Sequence, residues 1–172
     1  MEYIDVYDKQ GNKQDKVLQR GTKLKENEYV LIVHLWIQHK SGAFLIQKRA
    51  KADDPTPYQW AITTGVALAG ETAVDAVIRE AHEELGLVLN TADLIHIDDF
   101  TSKRESYQTL THMFLAKASF ALSDLVLNKA EVSEVAWCSL EKIYERISKN
   151  TFWNYPHLMN VPDYFRRLEK SL

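Results

Sequence analysis

The stretch Gly65-Val-Ala-Leu-Ala-Gly70-Glu71-Thr72-Ala-Val-Asp75-Ala-Val-Ile-Arg79-Glu80-Ala-His-Glu83-Glu84-Leu-Gly86-Leu87 decides the fold. A helix turns about 100° per residue, so Glu80, Glu83 and Glu84 share one stripe at i, i+3 and i+4. Val74, Val77, Ala81 and Leu85 form a second stripe, read as well over 90° from the first, and such a stripe faces a core. The acidic stripe is therefore expected to be displayed. Thr72 suits the N-cap, with Asp75 three residues on as a capping-box variant. Gly86 suits the left-handed position that ends a helix.

Like charges one turn apart cost a helix a few tenths of a kcal/mol per pair. A bound Mg²⁺ or Mn²⁺ would reverse that sign, because hard cations prefer carboxylate oxygens. Arg79 can pair with Glu83 at i+4 and with Asp75 one turn earlier. It reaches Glu71 if the preceding loop folds over the helix.

Outward from this segment, the chain has 172 residues, with 21 Lys+Arg against 24 Asp+Glu and 45% hydrophobic residues. That length suits a single α/β domain over 1–172, with N-terminal strands in 1–28 and C-terminal helices in 139–172. No apolar run approaches the roughly 18 residues of a membrane span, and the first residues lack a signal-peptide pattern. The expected location is cytoplasmic. The single cysteine, Cys138, excludes an internal disulfide framework and a cysteine-rich zinc site. The slight acidity argues against nucleic-acid binding through a broad basic surface.

Residues 3–7 and 14–19, around Asp8–Asn12, read as a hairpin. Tyr29–Gln38 reads as a central strand covered on both faces. A turn at Ser41-Gly42 follows, then a partner strand over Ala43–Lys48. Asp53–Pro57 is a loop by composition. Trp60–Thr64, Leu94–Thr101, Thr109–Leu115 and Val132–Trp137 read as strands. Leu140–Ser148 and Pro162–Leu172 read as helices. Strands on both sides of one central helix fit a mixed sheet between helices.

Residues 65–87 resemble the Nudix box, Gly-x5-Glu-x7-Arg-Glu-U-x-Glu-Glu-x-Gly-U with U apolar. The matches are Gly65, Glu71, Arg79, Glu80, Glu83, Glu84, Gly86 and Leu87, with the small Ala81 at the central apolar position. The resemblance extends over roughly residues 1–140. Asp5, Asp8, Gly11, Arg20 and the run Leu45-Ile-Gln47-Lys48-Arg49-Ala50 look like the branch that holds isopentenyl-diphosphate isomerase and its hydrolase relatives. It implies a Nudix-type α/β/α sandwich with a mixed β-sheet. Where the isomerase carries a cysteine and a histidine, this chain has Gly65 and Val66, so the intact box points to hydrolysis of a diphosphate linkage. A non-catalytic module on the same scaffold is a further reading, and the full set of glutamates argues against it.

The resemblance also implies a mechanism, in which water attacks phosphorus with help from Mg²⁺ (or Mn²⁺). Glu80 and Glu84 are the leading ligands, with Glu83 sharing and the Gly65 carbonyl completing the shell. The general base is a box glutamate or a later one, Glu131 or Glu134. Lys48 and Arg49 either clasp a phosphate or form a strand-end charge pair. Trp60 either borders the mouth of the site or packs in the core. His34 reads as a buried, hydrogen-bonded histidine. His82 and His112 carry no metal-ligand spacing. The implied partner is a small-molecule diphosphate. A homodimer is compatible with the resemblance, and no patch in the sequence specifies one.

Overall fold

The chain opens with β1 (Tyr3–Tyr7) and β2 (Lys13–Gln19), an antiparallel hairpin that forms its own small sheet. In the computed structural model, which describes residues 1–50, 57–104, 107–153, 166 and 170, seven further strands form the main sheet. These are β3 (Val30–Gln38), β4 (Phe44–Arg49), β5 (Trp60–Ala61), β6 (Thr63–Val66), β7 (Leu94–Arg104), β8 (Tyr107–Lys117) and β9 (Val132–Cys138). The helices are α1 (Ala73–Leu85) and α2 (Leu140–Ser148). The expected helix Pro162–Leu172, apart from helical Arg166 and Lys170, and most of the loop at 53–57 lie outside the described residues.

β3 organises the sheet. Its run Val-Leu-Ile-Val-His-Leu-Trp-Ile-Gln shows no alternation because both faces are covered, and only Ile32 is half-exposed. One edge pairs in parallel with β8, from Val30↔Thr109 to Gln38↔Lys117. The other edge pairs antiparallel with β6 from Ile32↔Val66 to Leu35↔Thr63. The expected β3–β4 pairing is correct only at its tip, where Gln38 faces Phe44. A strand has two edges, and β6 and β8 take the rest of β3. β4 turns away and pairs with β5 and β9 instead. The reading of one strand over Trp60–Thr64 divides at Ile62, where the chain passes from β4 to β3.

The sheet separates two apolar layers. α1 lays Ala76, Val77, Ala81 and Leu85 on Leu31, Val33, Leu35, Phe114 and their neighbours. α2 lays Ile143 on the other face, with Trp36, Phe44, Ile46, Met113 and Phe152. Complete burial of a Leu, Ile or Phe side chain contributes roughly 1.5–3 kcal/mol, so these layers carry most of the stability. The result is an α/β/α sandwich around a mixed sheet. No helix among the described residues is long and apolar enough to cross a membrane.

The N-terminal hairpin buttresses the loop that leads into α1. The buried Asp5 carboxylate accepts the Gly70 N–H at 2.7 Å and pairs with Lys13 at 2.7 Å. The Tyr3 carbonyl accepts the Ala69 N–H at 2.8 Å. α1 itself is closed at both ends as its sequence dictates. Thr72 Oγ1 accepts the Asp75 N–H, and Asp75 Oδ2 accepts the Thr72 N–H at 3.0 Å. Gly86 adopts φ 68°, the left-handed conformation open to glycine, and a Cβ there would also meet Val126 Cβ at 2.8 Å.

Candidate functional site

Glu80 and Glu84 are buried, at 7% and 8% exposure, which corrects the expectation of a displayed acidic stripe. The reason lies in the helix period. Glu84 follows Val77 by seven residues, and seven steps of 100° end about 20° short of two full turns. The acidic and apolar stripes therefore overlap, and both glutamates enter the helix–sheet interface beside Val77 and Ala76. Glu83 alone of the three stays largely in solvent, its side chain 55% exposed.

Glu80 rests on Gly65 of β6. A Cβ at position 65 would meet Glu80 Cδ and Oε1 at 2.0 Å, so only glycine lets the carboxylate close on the strand backbone. Glu84 is held from the other side. Gln47 Nε2 donates to Glu84 Oε2 at 2.7 Å, and Thr63 Oγ1 donates to Gln47 Oε1 at 2.9 Å. Sequence reasoning gave Gln47 no role; its signal is a polar residue at an inward position of the apolar strand Phe44-Leu-Ile-Gln47.

Arg79 gathers the remaining acids. Its Nε and Nη2 donate to both oxygens of Glu71 at 2.7 and 3.1 Å, a bidentate pair. Its Nη1 donates to Glu80 and Glu83, each at 2.9 Å, and Nη2 also donates to the Val66 carbonyl at 3.0 Å. The loop does fold over to bring Glu71 to Arg79. The expected Asp75–Arg79 pair does not form, because Asp75 is committed to the Thr72 cap. Glu71 also accepts the Leu68 N–H at 2.8 Å, so it pins the loop to the helix.

The electrostatics follow from burial. Loss of water pushes the Glu84 carboxyl up to about 8; the Gln47 hydrogen bond opposes the shift, and the charges of Glu80 and Glu131 add to it. Burial also raises Glu80 above its ordinary value, against the pull of Arg79. Burial would lower Arg79, but hydrogen bonds and charge from Glu71, Glu80 and Glu83 outweigh it, and the guanidinium stays ionised. Two adjacent carboxyls that resist ionisation when alone are the donor set a cation would favour.

Beside the C-terminal half of α1 lies an open hollow of about 840 Å³, lined by Glu2, His82, Glu83, Asn128 and Glu131 among others. Glu131 is thus on the α1 side, close enough for its charge to raise Glu84. Glu134 is not, because Lys48 Nζ holds its carboxylate at 2.8 Å. Strand alternation sets this division: Gln47 faces α1, so Lys48 and its cross-strand neighbours Trp60 and Glu134 face the α2 layer.

Residues 28–160 match the family model of the NUDIX domain. The chain belongs to the Nudix family. It is 35% identical over 141 residues to an uncharacterised Nudix hydrolase of Listeria innocua, covering 79% of each chain. It is 27% identical over 143 residues to isopentenyl-diphosphate Delta-isomerase of Escherichia coli, covering 80% of this chain and 76% of that one. A Deinococcus radiodurans protein of known crystal structure shares the fold at 17% identity and a TM-score of 0.76, covering 93% and 96%. This Nudix hydrolase is accordingly a pyrophosphohydrolase, and enzymes of the family generally use divalent cations.

Within this Nudix chain, Arg79, Glu80, Glu83, Glu84 and Gly65 converge, and Glu131 borders the same side. Lys48 and Trp60, each read as either a phosphate or substrate contact or a structural residue, lie away from them. Lys48 is tied to Glu134, and the half-buried Trp60 packs in the α2 layer with the Arg146 guanidinium 5.1 Å from its ring centre. Arg49 stacks on Trp153 at 4.8 Å, and its charge still favours ionised Glu84. His34 is buried edge-on to Phe100. His112 carries no metal-ligand spacing along the chain, but in the fold His96 and Asp99 stand beside it on β7.

Proposed function

We propose that this enzyme hydrolyses a diphosphate linkage in a nucleoside di- or triphosphate, or in a nucleoside diphosphate derivative, with Mg²⁺ (or Mn²⁺). The observation that carries the reading is the pair of buried carboxyls, Glu80 closed on Gly65 and Glu84 held by Gln47, flanked by Glu83. An all-oxygen donor set of carboxylates and the Gly65 carbonyl suits a hard cation. A divalent ion bound there would neutralise the diphosphate and lower the pKa of water.

The protein's own groups then divide the work. Gln47 and Thr63 fix the rotamer of Glu84, and Arg79 fixes Glu80, Glu83 and Glu71, so all three act as positioning residues. The hollow beside α1 admits the diphosphate. Glu131, on its rim, takes the proton of the attacking water as the new P–O bond forms and the bridging P–O bond breaks.

The similarity to the isomerase raises that activity as a second reading. Cys138 cannot serve it: the thiol is buried in the α2 layer, across the sheet from Glu80 and Glu84. The test is a screen of nucleotides and other diphosphates with Mg²⁺ and Mn²⁺, reading released phosphate and pyrophosphate. Hydrolysis that requires the ion and disappears in Glu84→Gln is expected. Interconversion of isopentenyl and dimethylallyl diphosphate, lost in Cys138→Ser, would overturn the proposal.

A further inference from the structure

We propose that His96, Asp99 and His112 form a second cation site, separate from the α1 glutamates, for a borderline divalent ion of the Zn²⁺ type. Its origin is an irregularity in the β7–β8 pairing. His96 faces Phe114, whereas Asp98 faces Met113 and Asp99 faces His112, so Ile97 is one residue in excess on β7. In a regular strand, residues i and i+3 point to opposite faces. The extra residue restores the phase, and His96 and Asp99 emerge on the same face as His112 and Phe114. Bulges characteristically re-aim side chains in this way.

The three side chains meet. His96 Nε2 lies 2.7 Å and His112 Nδ1 3.4 Å from Asp99 Oδ1, and the three ligand atoms fall within 4.8 Å of one another. Zn²⁺ with bonds of about 2.0–2.1 Å in tetrahedral geometry spaces its ligands roughly 3.3 Å apart, so small side-chain rotations accommodate it. The His96 ring is already oriented, edge-to-face with Phe114 at 5.7 Å and with His112 at 6.1 Å. Two imidazoles with one carboxylate favour Zn²⁺, Co²⁺ or Ni²⁺ over Mg²⁺, the reverse of the all-oxygen set on α1. The side chains of His96, Asp99 and His112 are 49%, 45% and 28% exposed, so the site is open, exchangeable and free to take water in the remaining positions.

The test is a Co²⁺ titration of the full chain in excess Mg²⁺, read by visible absorption, with Zn²⁺ displacement followed by calorimetry. One equivalent should bind in the wild type and in Glu84→Gln alike. Affinity should fall at least tenfold in His96→Ala and in His112→Ala with circular dichroism unchanged. Should a histidine variant fail to fold, Zn²⁺ should still shift the His96 and His112 ring resonances of the wild type, and no other imidazole. Co²⁺ uptake that is lost in Glu84→Gln, or unaltered in folded histidine variants, or absent altogether, overturns the proposal. So does a wild type whose His96 and His112 resonances do not respond.

Discussion

The carboxylates under α1 and the imidazole–carboxylate group on β7 and β8 lie on the same face of the sheet, yet in opposite surroundings. Glu80 and Glu84 are buried under α1, Glu80 against the backbone of Gly65 and held by a guanidinium, Glu84 held by the Gln47 amide. His96 and Asp99 are half in water. Burial makes a charge costly, and thereby couples ligand, protonation and folding. Exposure leaves those three nearly independent. The difference predicts how strongly each region answers to mutation and pH.

The largest effect should come from Glu84→Gln. The amide keeps the shape and can still accept from Gln47, so folding should hold or improve at neutral pH. Loss of this proposed ligand for the ion should slow turnover by on the order of 10²–10⁴, about 3–5 kcal/mol in barrier. Steady-state kinetics beside thermal melts checks this; a fall in melting temperature with turnover intact would break the contrast.

Next in size is the pH dependence of the metal-free protein. Glu84 is raised from 4.5 to about 8 and Glu80 is raised in the same direction, so the folded state retains protons that the unfolded chain releases. The contribution is fully present below about pH 4.5 and is lost as pH rises through about 8. Unfolding free energy should drop by up to a few kcal/mol across that window, because each tenfold difference in proton affinity between the folded and unfolded chain is worth about 1.4 kcal/mol. Denaturant titrations at pH 5 and pH 8 read it. Glu84→Gln should flatten the slope, and saturating Mg²⁺ should restore stability at the upper end.

Gly65→Ala should cost less. The new methyl collides with the far end of a flexible side chain, so Glu80 moves and the strand does not. We expect turnover to fall roughly 10- to 100-fold, with stability changed by about 1 kcal/mol or less. The smallest effect belongs to His96→Asn, which should alter stability by no more than about 0.5 kcal/mol and leave diphosphate hydrolysis within twofold. A loss comparable to that of Glu84→Gln would make the two regions one site.

What the sequence disclosed was whatever is local. The α1 caps at Thr72, Asp75 and Gly86, the N-terminal hairpin and the bounds of α2 depend on neighbours within a few residues, and all were readable. The burial of Glu84 was also encoded, in its seven-residue separation from Val77, but it emerges only when both stripes are placed on one azimuth. Other features depend on distant partners. Which residue Lys48 meets is set by the register with β9, and the meeting of His96 with His112 requires a one-residue excess that no composition signals. The choice of β8 as the neighbour of β3 is equally non-local.

That parallel pairing has a consequence for the order in which the molecule can be made. Gln38 on β3 accepts from Lys117 on β8 at 2.6 Å, across 79 residues of chain. Lys48 on β4 meets Glu134 on β9 only after 86. During synthesis, the hairpin and α1 are available early, whereas the most apolar strand waits with one edge open until residue 117 has left the ribosome. Closing such long loops is slow, and an uncovered apolar edge invites pairing with other chains. The nascent protein is therefore most exposed to aggregation after α1 has been made and before its sheet is closed.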